Sequence, residues 1–216
     1  AGIRLVLDGV FNHTGNHFWA FEDIRRRGEA SPYLSWYYVH DLPLRTEPKP
    51  NYACWWDFAE LPKLRETNPV VRRYLLGVGQ YWTSYGIDGW RLDVPNEIKG
   101  DFWVEFRRLV KAINPDAYLV GEIWGDGRPW LRGDQFDAVM NYPWRELALD
   151  WFLREKTDLL TFDRLLARLR LRYHEQVNYC QLNLLGSHDT ARLFTEASRT
   201  LGQPGAAKGE AARRLV

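Results

Sequence analysis

Gly86-Ile87-Asp88-Gly89-Trp90-Arg91-Leu92-Asp93 turns the chain out of a helix, runs through a short strand and ends that strand on a carboxylate. Ahead of it, Asn68-Pro69 marks a helix start, with Asn as the cap and Pro at the first position. Val71, Tyr74, Leu75, Val78 and Trp82 then recur at helical spacing and predict a helix over 70–85. Behind it, 101–113 is amphipathic and 117–121 reads as another strand. Working outward, strands are expected at 3–7, near 89–93, at 117–121, 136–140 and 181–185, and further helices at 161–173 and 190–201. Strands that alternate with helices give an α/β fold built from parallel βαβ units. An open doubly wound sheet and part of a barrel both fit five strands. No glycine-rich phosphate loop follows any of them, so the dinucleotide-binding form of the open sheet has no support.

Between the first two strands, 14–57 is irregular and rich in aromatics, with Pro32, Pro43, Pro48 and Pro50. A connection of that length is uncommon in a compact domain unless it is functional, so it reads as an insertion over the mouth of the sheet. The stretch 203–210 is small and polar and reads as a connection. There is no internal repeat and no low-complexity segment.

Four short segments carry the chemistry: Asp8-Gly9-Val10-Phe11-Asn12-His13, Gly89-Trp90-Arg91-Leu92-Asp93, Gly121-Glu122-Ile123-Trp124 and Leu185-Gly186-Ser187-His188-Asp189. Each lies where an apolar strand stops. Carboxylates at the ends of successive strands are how an α/β barrel assembles an active site. Cleavage of a glycosidic bond needs two carboxyl groups, one to attack the anomeric carbon and one to protonate the leaving oxygen. Arg91 and Asp93 are two apart on one strand and face the same way, so the guanidinium sits by the carboxylate and keeps it ionised. Glu122 lies among Val120, Ile123 and Trp124, an apolar setting that suits a general acid. Taken alone, Arg91–Asp93 reads more simply as a strand-end ion pair, Glu122 as a surface carboxylate and Asp8 as a turn aspartate. Their occurrence together, in order, favours a site, with Asp8 holding Arg91. His13 and His188 each follow a strand and can donate hydrogen bonds to sugar hydroxyls. With 5 His and no HExxH spacing, a catalytic zinc is not expected.

Bulk properties exclude other classes. The 29 basic and 28 acidic residues balance, so neither nucleic acid nor an anionic membrane is implied. No apolar run approaches the roughly 20 residues of a membrane span. Most of the 11 Trp and 11 Tyr are expected to fill a core, and some to stack on sugar rings. Cys54 and Cys180 are read as free, buried thiols, compatible with a reducing compartment.

Taken together, the four segments resemble the four signature regions of the α-amylase family, glycoside hydrolase family 13, in the right order and across nearly the whole chain. Trp55-Trp56-Asp57, Leu61-Pro62-Lys63-Leu64 and Asp93-Val94-Pro95-Asn96-Glu97 resemble the neopullulanase, cyclomaltodextrinase and maltogenic amylase group. The resemblance implies retaining cleavage of α-1,4-glucosidic bonds in cyclodextrins, pullulan or maltooligosaccharides, with some transfer to sugar acceptors. It implies Asp93 as nucleophile, Glu122 as acid/base and Asp189 as the transition-state stabiliser. Arg91, His13 and His188 fall on residues that contact the sugar, Asp8 on the support of that site, and Asn96 and Glu97 on the acceptor side. Pro95 departs from the alanine usual in the group, and it removes an N–H and stiffens the turn after Asp93. Asn12 matches a calcium ligand of many α-amylases; the rest of that site is not evident, and no cofactor or metal is expected. A relative acting on α-1,6 or sucrose-type bonds is the alternative, and Val94 with Asn96-Glu97 argues for the cyclodextrin-acting group. A non-catalytic glucan-binding homologue is a second alternative, disfavoured because all three carboxylates are present.

The resemblance implies a (β/α)8 barrel of which this chain covers about the third to the seventh strands. The expectation is a fragment of a catalytic domain, with 14–57 as its inserted segment, drawn from a cytoplasmic and homodimeric parent protein. Unclosed, such a piece exposes two sheet edges and is expected to fold poorly and lack activity by itself.

Overall fold

The structure, a computed structural model, describes residues 2–201. The connection expected at 203–210 lies outside the described residues. The described residues form two compact units, one of 2–122 with 133–136, the other of 123–132 with 137–201.

In the first unit, β1 (Val6–Gly9), α1 (Trp19–Arg27), α2 (Pro69–Ser84), β2 (Gly89–Leu92), α3 (Gly100–Ile113) and β3 (Tyr118–Gly121) follow in chain order. The three strands are parallel, with β2 between β1 and β3. Asp8 pairs with Arg91 and Gly9 with Leu92 on one side; Arg91 pairs with Val120 and Leu92 with Gly121 on the other. The parallel order follows from the connections, because each crossover is long enough to carry a helix back across the sheet. Asn68 caps α2 as its sequence requires, its side chain accepting from the Val70 N–H at 2.9 Å, with Pro69 in the first turn.

One face of β2 is the core. Trp90 and Leu92 point from it and are fully buried, with Trp90 and Phe11 against Phe106 of α3. Phe102, Trp103 and Phe136 extend the aromatic cluster. Burial of each such side chain contributes roughly 1.5–3 kcal/mol. Two glycines allow the close approach. A Cβ at Gly79 of α2 would stand 2.5 Å from a Phe106 ring carbon, and one at Gly89 would stand 2.3 Å from the Tyr118 carbonyl oxygen. The Trp90 indole N–H, buried with its ring, donates to Thr83 Oγ1 at 3.1 Å.

In the second unit, β4 (Ala138–Val139) leads into α4 (Tyr142–Phe152), α5 (Leu159–Arg170), α6 (Glu175–Cys180) and α7 (Leu193–Leu201). Asn141 and Asp158 cap α4 and α5. Leu149 of α4 and Leu153, just past its C-terminus, pack against Leu193 and Ala197 of α7.

Several expectations need correction. The first strand begins at Val6 rather than residue 3, because the ladder starts where β2 starts; Ile3 and Leu5 are exposed. The run 181–185 makes only an isolated parallel bridge, Leu182 to Met140. There Gln181 and Asn183 spend their polar groups locally, on the Val139 N–H and on Asn141. The segment 14–57 contains α1, which has no side-chain cap at Phe18 to announce it. Both cysteines are free, but Cys180 is exposed and Cys54 only half-buried, its thiol pushed up to about 11 first by burial and then by Asp57 and Glu60. No helix among the described residues is long and apolar enough to cross a membrane.

Candidate active site

The register of the first unit assembles the site. Arg91 sits opposite Asp8, and the ladder continues one step past its named ends: Asp93 N–H donates to the Gly9 carbonyl at 3.1 Å, and Glu122 N–H to the Leu92 carbonyl at 2.9 Å. Side chains two apart on a strand share a face. Asp8, Arg91, Asp93 and Glu122 therefore stand together on the face opposite Trp90.

Arg91 is the hub. Its Nη1 donates to Asp8 Oδ1 at 2.8 Å and to Asp93 Oδ1 at 2.6 Å, and its Nη2 lies 2.9 Å from Glu122 Oε2. Burial alone would lower the Arg91 pKa. The carboxylates of Asp8, Glu122 and Asp93 more than reverse that, so it lies above the ordinary arginine value. The apolar surroundings expected for Glu122 are corrected here. Its carboxyl, 4% exposed, faces a guanidinium and accepts from the Val94 N–H at 3.1 Å.

That N–H depends on an unusual backbone. Val94 adopts φ 34°, ψ 51°, the left-handed region, although it is β-branched and precedes Pro95. The Pro95 carbonyl is fixed in turn by the Trp103 indole N–H at 2.9 Å.

His13 is buried and stacks on Trp55 at 5.5 Å, which stacks on Trp56 at 5.0 Å. Its pKa is lowered, first by burial and also by Lys63, with the Asp93 charge acting the other way. Lys63 forms an antiparallel bridge with His13 and reaches Glu97 Oε2 at 3.0 Å. Asn96 is exposed. Lys63, Trp55 and the Val94 N–H are contributors that residue-type reasoning did not single out. Lys63 and Trp55 were visible only as motif members, and the Val94 N–H carries no side-chain signal at all.

The remaining candidates belong to the second unit. His188 Nε2 lies 3.3 Å from Asp189 Oδ2, both exposed, on a loop where Asp189 N–H donates to Ser187 Oγ. Trp124, half exposed, stacks flat on Tyr142 at 3.8 Å and 3°.

Among the described residues nothing completes a calcium site. Asn12 is buried with its Oδ1 lacking a hydrogen-bond partner, but one amide oxygen is not a cage. No group of three or more His, Cys, Asp or Glu able to hold a metal occurs among the described residues.

Residues 1–211 match the family described as alpha amylase, catalytic domain. The chain belongs to the α-amylase family. This α-amylase-family chain is 52% identical to a cyclomaltodextrinase of Geobacillus thermopakistaniensis over 90% of its own length and 33% of the relative's. It is 48% identical to neopullulanase 2 of Thermoactinomyces vulgaris, with the same two coverages. Among solved structures it resembles a cyclic α-maltosyl-(1→6)-maltose hydrolase of Arthrobacter globiformis in complex with its cyclic sugar. The TM-score there is 0.92 at 39% identity, over 99% of this chain and 47% of that one. The parallel sheet with its helices is thus part of a (β/α)8 catalytic domain, and the chain spans about a third of the length of the curated relatives it matches.

Proposed function

We propose that the protein carrying this chain is a retaining glycoside hydrolase that opens α-1,4-glucosidic bonds of cyclodextrins, pullulan or starch-derived maltooligosaccharides and passes part of the product to sugar acceptors. The observation that carries this reading is the Asp93–Arg91–Glu122 cluster, two carboxyl groups bridged by one guanidinium at adjacent strand ends.

In this reading an Asp93 oxygen attacks the anomeric carbon while the glycosidic C–O bond breaks and Glu122 gives its proton to the leaving oxygen. A glycosyl ester on Asp93 results. Glu122, now a carboxylate, takes a proton from water or a sugar hydroxyl, whose oxygen attacks the same carbon and releases Asp93. Arg91 holds Asp93 in its attacking orientation, and Asp8 holds Arg91. For the first step Glu122 must acquire its proton as the sugar enters and its contact with Arg91 loosens. A buried His13 with a lowered pKa stays neutral near pH 7 and can donate one hydrogen bond to a sugar hydroxyl. His188 contacts the sugar, Asp189 stabilises the transition state, and Asn96 and Glu97 act on the acceptor side, with Lys63 orienting Glu97. The segment 14–57 is the inserted part of the catalytic domain. A cytoplasmic location is supported by a relative named intracellular maltogenic amylase from Bacillus subtilis, 40% identical.

The test compares hydrolysis of β-cyclodextrin and soluble starch by the protein and its Asp93→Asn variant. Fast cyclodextrin cleavage that the variant lacks is expected. Full activity in the variant would remove Asp93 from its role. An intact protein that cleaves neither substrate would move α-1,6 or sucrose-type bonds, or a non-catalytic role, to the front.

A further inference from the structure

We propose that Arg145, a buried arginine of α4, is a positioning residue that sets the loop carrying Asp189. The inference rests on the reading of Asp189 as a transition-state stabiliser and adds the group that holds it in place.

The geometry lies wholly within the second unit. Arg145 is 3% exposed. Its Nε donates to the Leu185 carbonyl at 3.2 Å and its Nη2 to the Ala191 carbonyl at 3.3 Å. Those two carbonyls bracket residues 186–190. One planar guanidinium thus ties both ends of the loop, and its fixed fork sets the separation between them. Hydroxyls fix the interior. Ser187 N–H donates to Thr190 Oγ1 at 2.9 Å, Asp189 N–H donates to Ser187 Oγ at 3.2 Å, and the Tyr142 hydroxyl lies 3.2 Å from the same Oγ.

The charge is compensated by two carboxylates. Arg145 Nη1 pairs with Glu146, and Nη2 lies 3.7 Å from Glu196 Oε1 on α7. Leu149, Leu153, Leu193 and Ala197 hold α4 against α7 and so fix that counter-charge. A buried cation is a costly way to join two helices, and apolar side chains of similar volume do it at least as well. What apolar side chains cannot do is donate to two carbonyls at once, and here those carbonyls frame a loop bearing an exposed carboxylate. Displacement of a reacting group by about 1 Å costs on the order of 100-fold in rate.

The experiment uses the protein that carries this chain, with 4-nitrophenyl α-maltoside as substrate. It compares Arg145→Lys, Arg145→Met, Thr190→Val, Asp189→Asn and the Arg145→Lys/Asp189→Asn double variant, recording kcat, KM and melting temperature. In Arg145→Lys the ammonium keeps a charge toward Glu146 and Glu196, but a single nitrogen cannot span both carbonyls. The expected result for that variant is a cooperative melt and a kcat lower by about 10- to 100-fold, with KM changed by less than about 3-fold. Thr190→Val, which leaves the buried charge untouched, gives a smaller loss of the same kind. The double variant is no slower than Asp189→Asn alone, because Arg145 acts through Asp189. Wild-type kcat in Arg145→Lys, with only the melting temperature lowered, overturns the inference, as do losses that multiply in the double variant. Full turnover by Asp189→Asn defeats the reading of Asp189 itself and is distinguishable from either. If Arg145→Met fails to fold, the Arg145→Lys and Thr190→Val variants still decide.

Discussion

Removal of the Arg91 guanidinium tests whether the three carboxylates are held by one cation. In Arg91→Met the side chain keeps most of its apolar stem and loses every donor. At contacts of 2.6 to 2.9 Å, Coulomb attraction to Asp93 and Glu122 is roughly 6 kcal/mol each at an effective dielectric of about 20, before desolvation is subtracted. Asp8 is half exposed and adds much less. Desolvation offsets most of that gain while Arg91 is present. Once it is absent, Asp93 and the buried Glu122 face each other uncompensated, and breaking a buried pair in this way costs about 3–5 kcal/mol. For the protein carrying this chain, calorimetry at pH 7 should show a melting temperature lower by on the order of 10 °C. Arg91→Lys should recover part of the loss, since one ammonium reaches Asp8 and Asp93 but not Glu122 as well. A melting temperature of Arg91→Met within about 2 °C of wild type would refute the coupling. Full recovery in Arg91→Lys would show that the Nη2–Glu122 contact contributes nothing.

Two further outcomes follow from the same structure. His13 has its pKa lowered on folding, so below about 6.5 the unfolded chain binds a proton that the folded chain resists; stability is fully present above that pH and declines as pH falls through it. Equilibrium unfolding of His13→Asn between pH 7.5 and 5 should show a shallower acid-side decline than wild type, and an identical slope would exclude His13 as its source. Gly79→Ala places a Cβ where the Phe106 ring stands, so denaturant unfolding should show a loss of about 1–3 kcal/mol although alanine favours helices; a gain would mean the ring moves freely.

Much of this was legible in the sequence because single residues carried it. Asn68-Pro69 fixed the start of α2 to within a residue, and the two-residue spacing of Arg91 and Asp93 placed both on one face. The pairing of Asp8 with Arg91 was inferred and is present at 2.8 Å. What failed did so where pairing or burial decides. Residues 3–5 read as strand from Ile3 and Leu5, yet the parallel ladder starts only at Val6, opposite Gly89, and Leu5 bonds to Asp88 ahead of it. The surroundings of Glu122 were judged from its sequence neighbours, whereas its carboxyl meets Arg91, contributed by the adjacent strand. Arg145 left no trace, because a buried arginine among Trp144 and Glu146 looks like any polar helix residue until its carbonyl partners are known.

Val94 has a consequence for how this protein changes over time. Its left-handed backbone is a standing cost of order 1–3 kcal/mol that Gly or Asn at the same position largely avoids. Selection for heat resistance alone therefore pushes position 94 toward those residues. Selection for turnover pushes the other way if the bulky side chain is what keeps its N–H aimed at Glu122. Survival after heating and activity at ambient temperature, scored across all substitutions at this position, should then rank them in opposite orders. Matching orders would mean that the strain is a relic rather than a device.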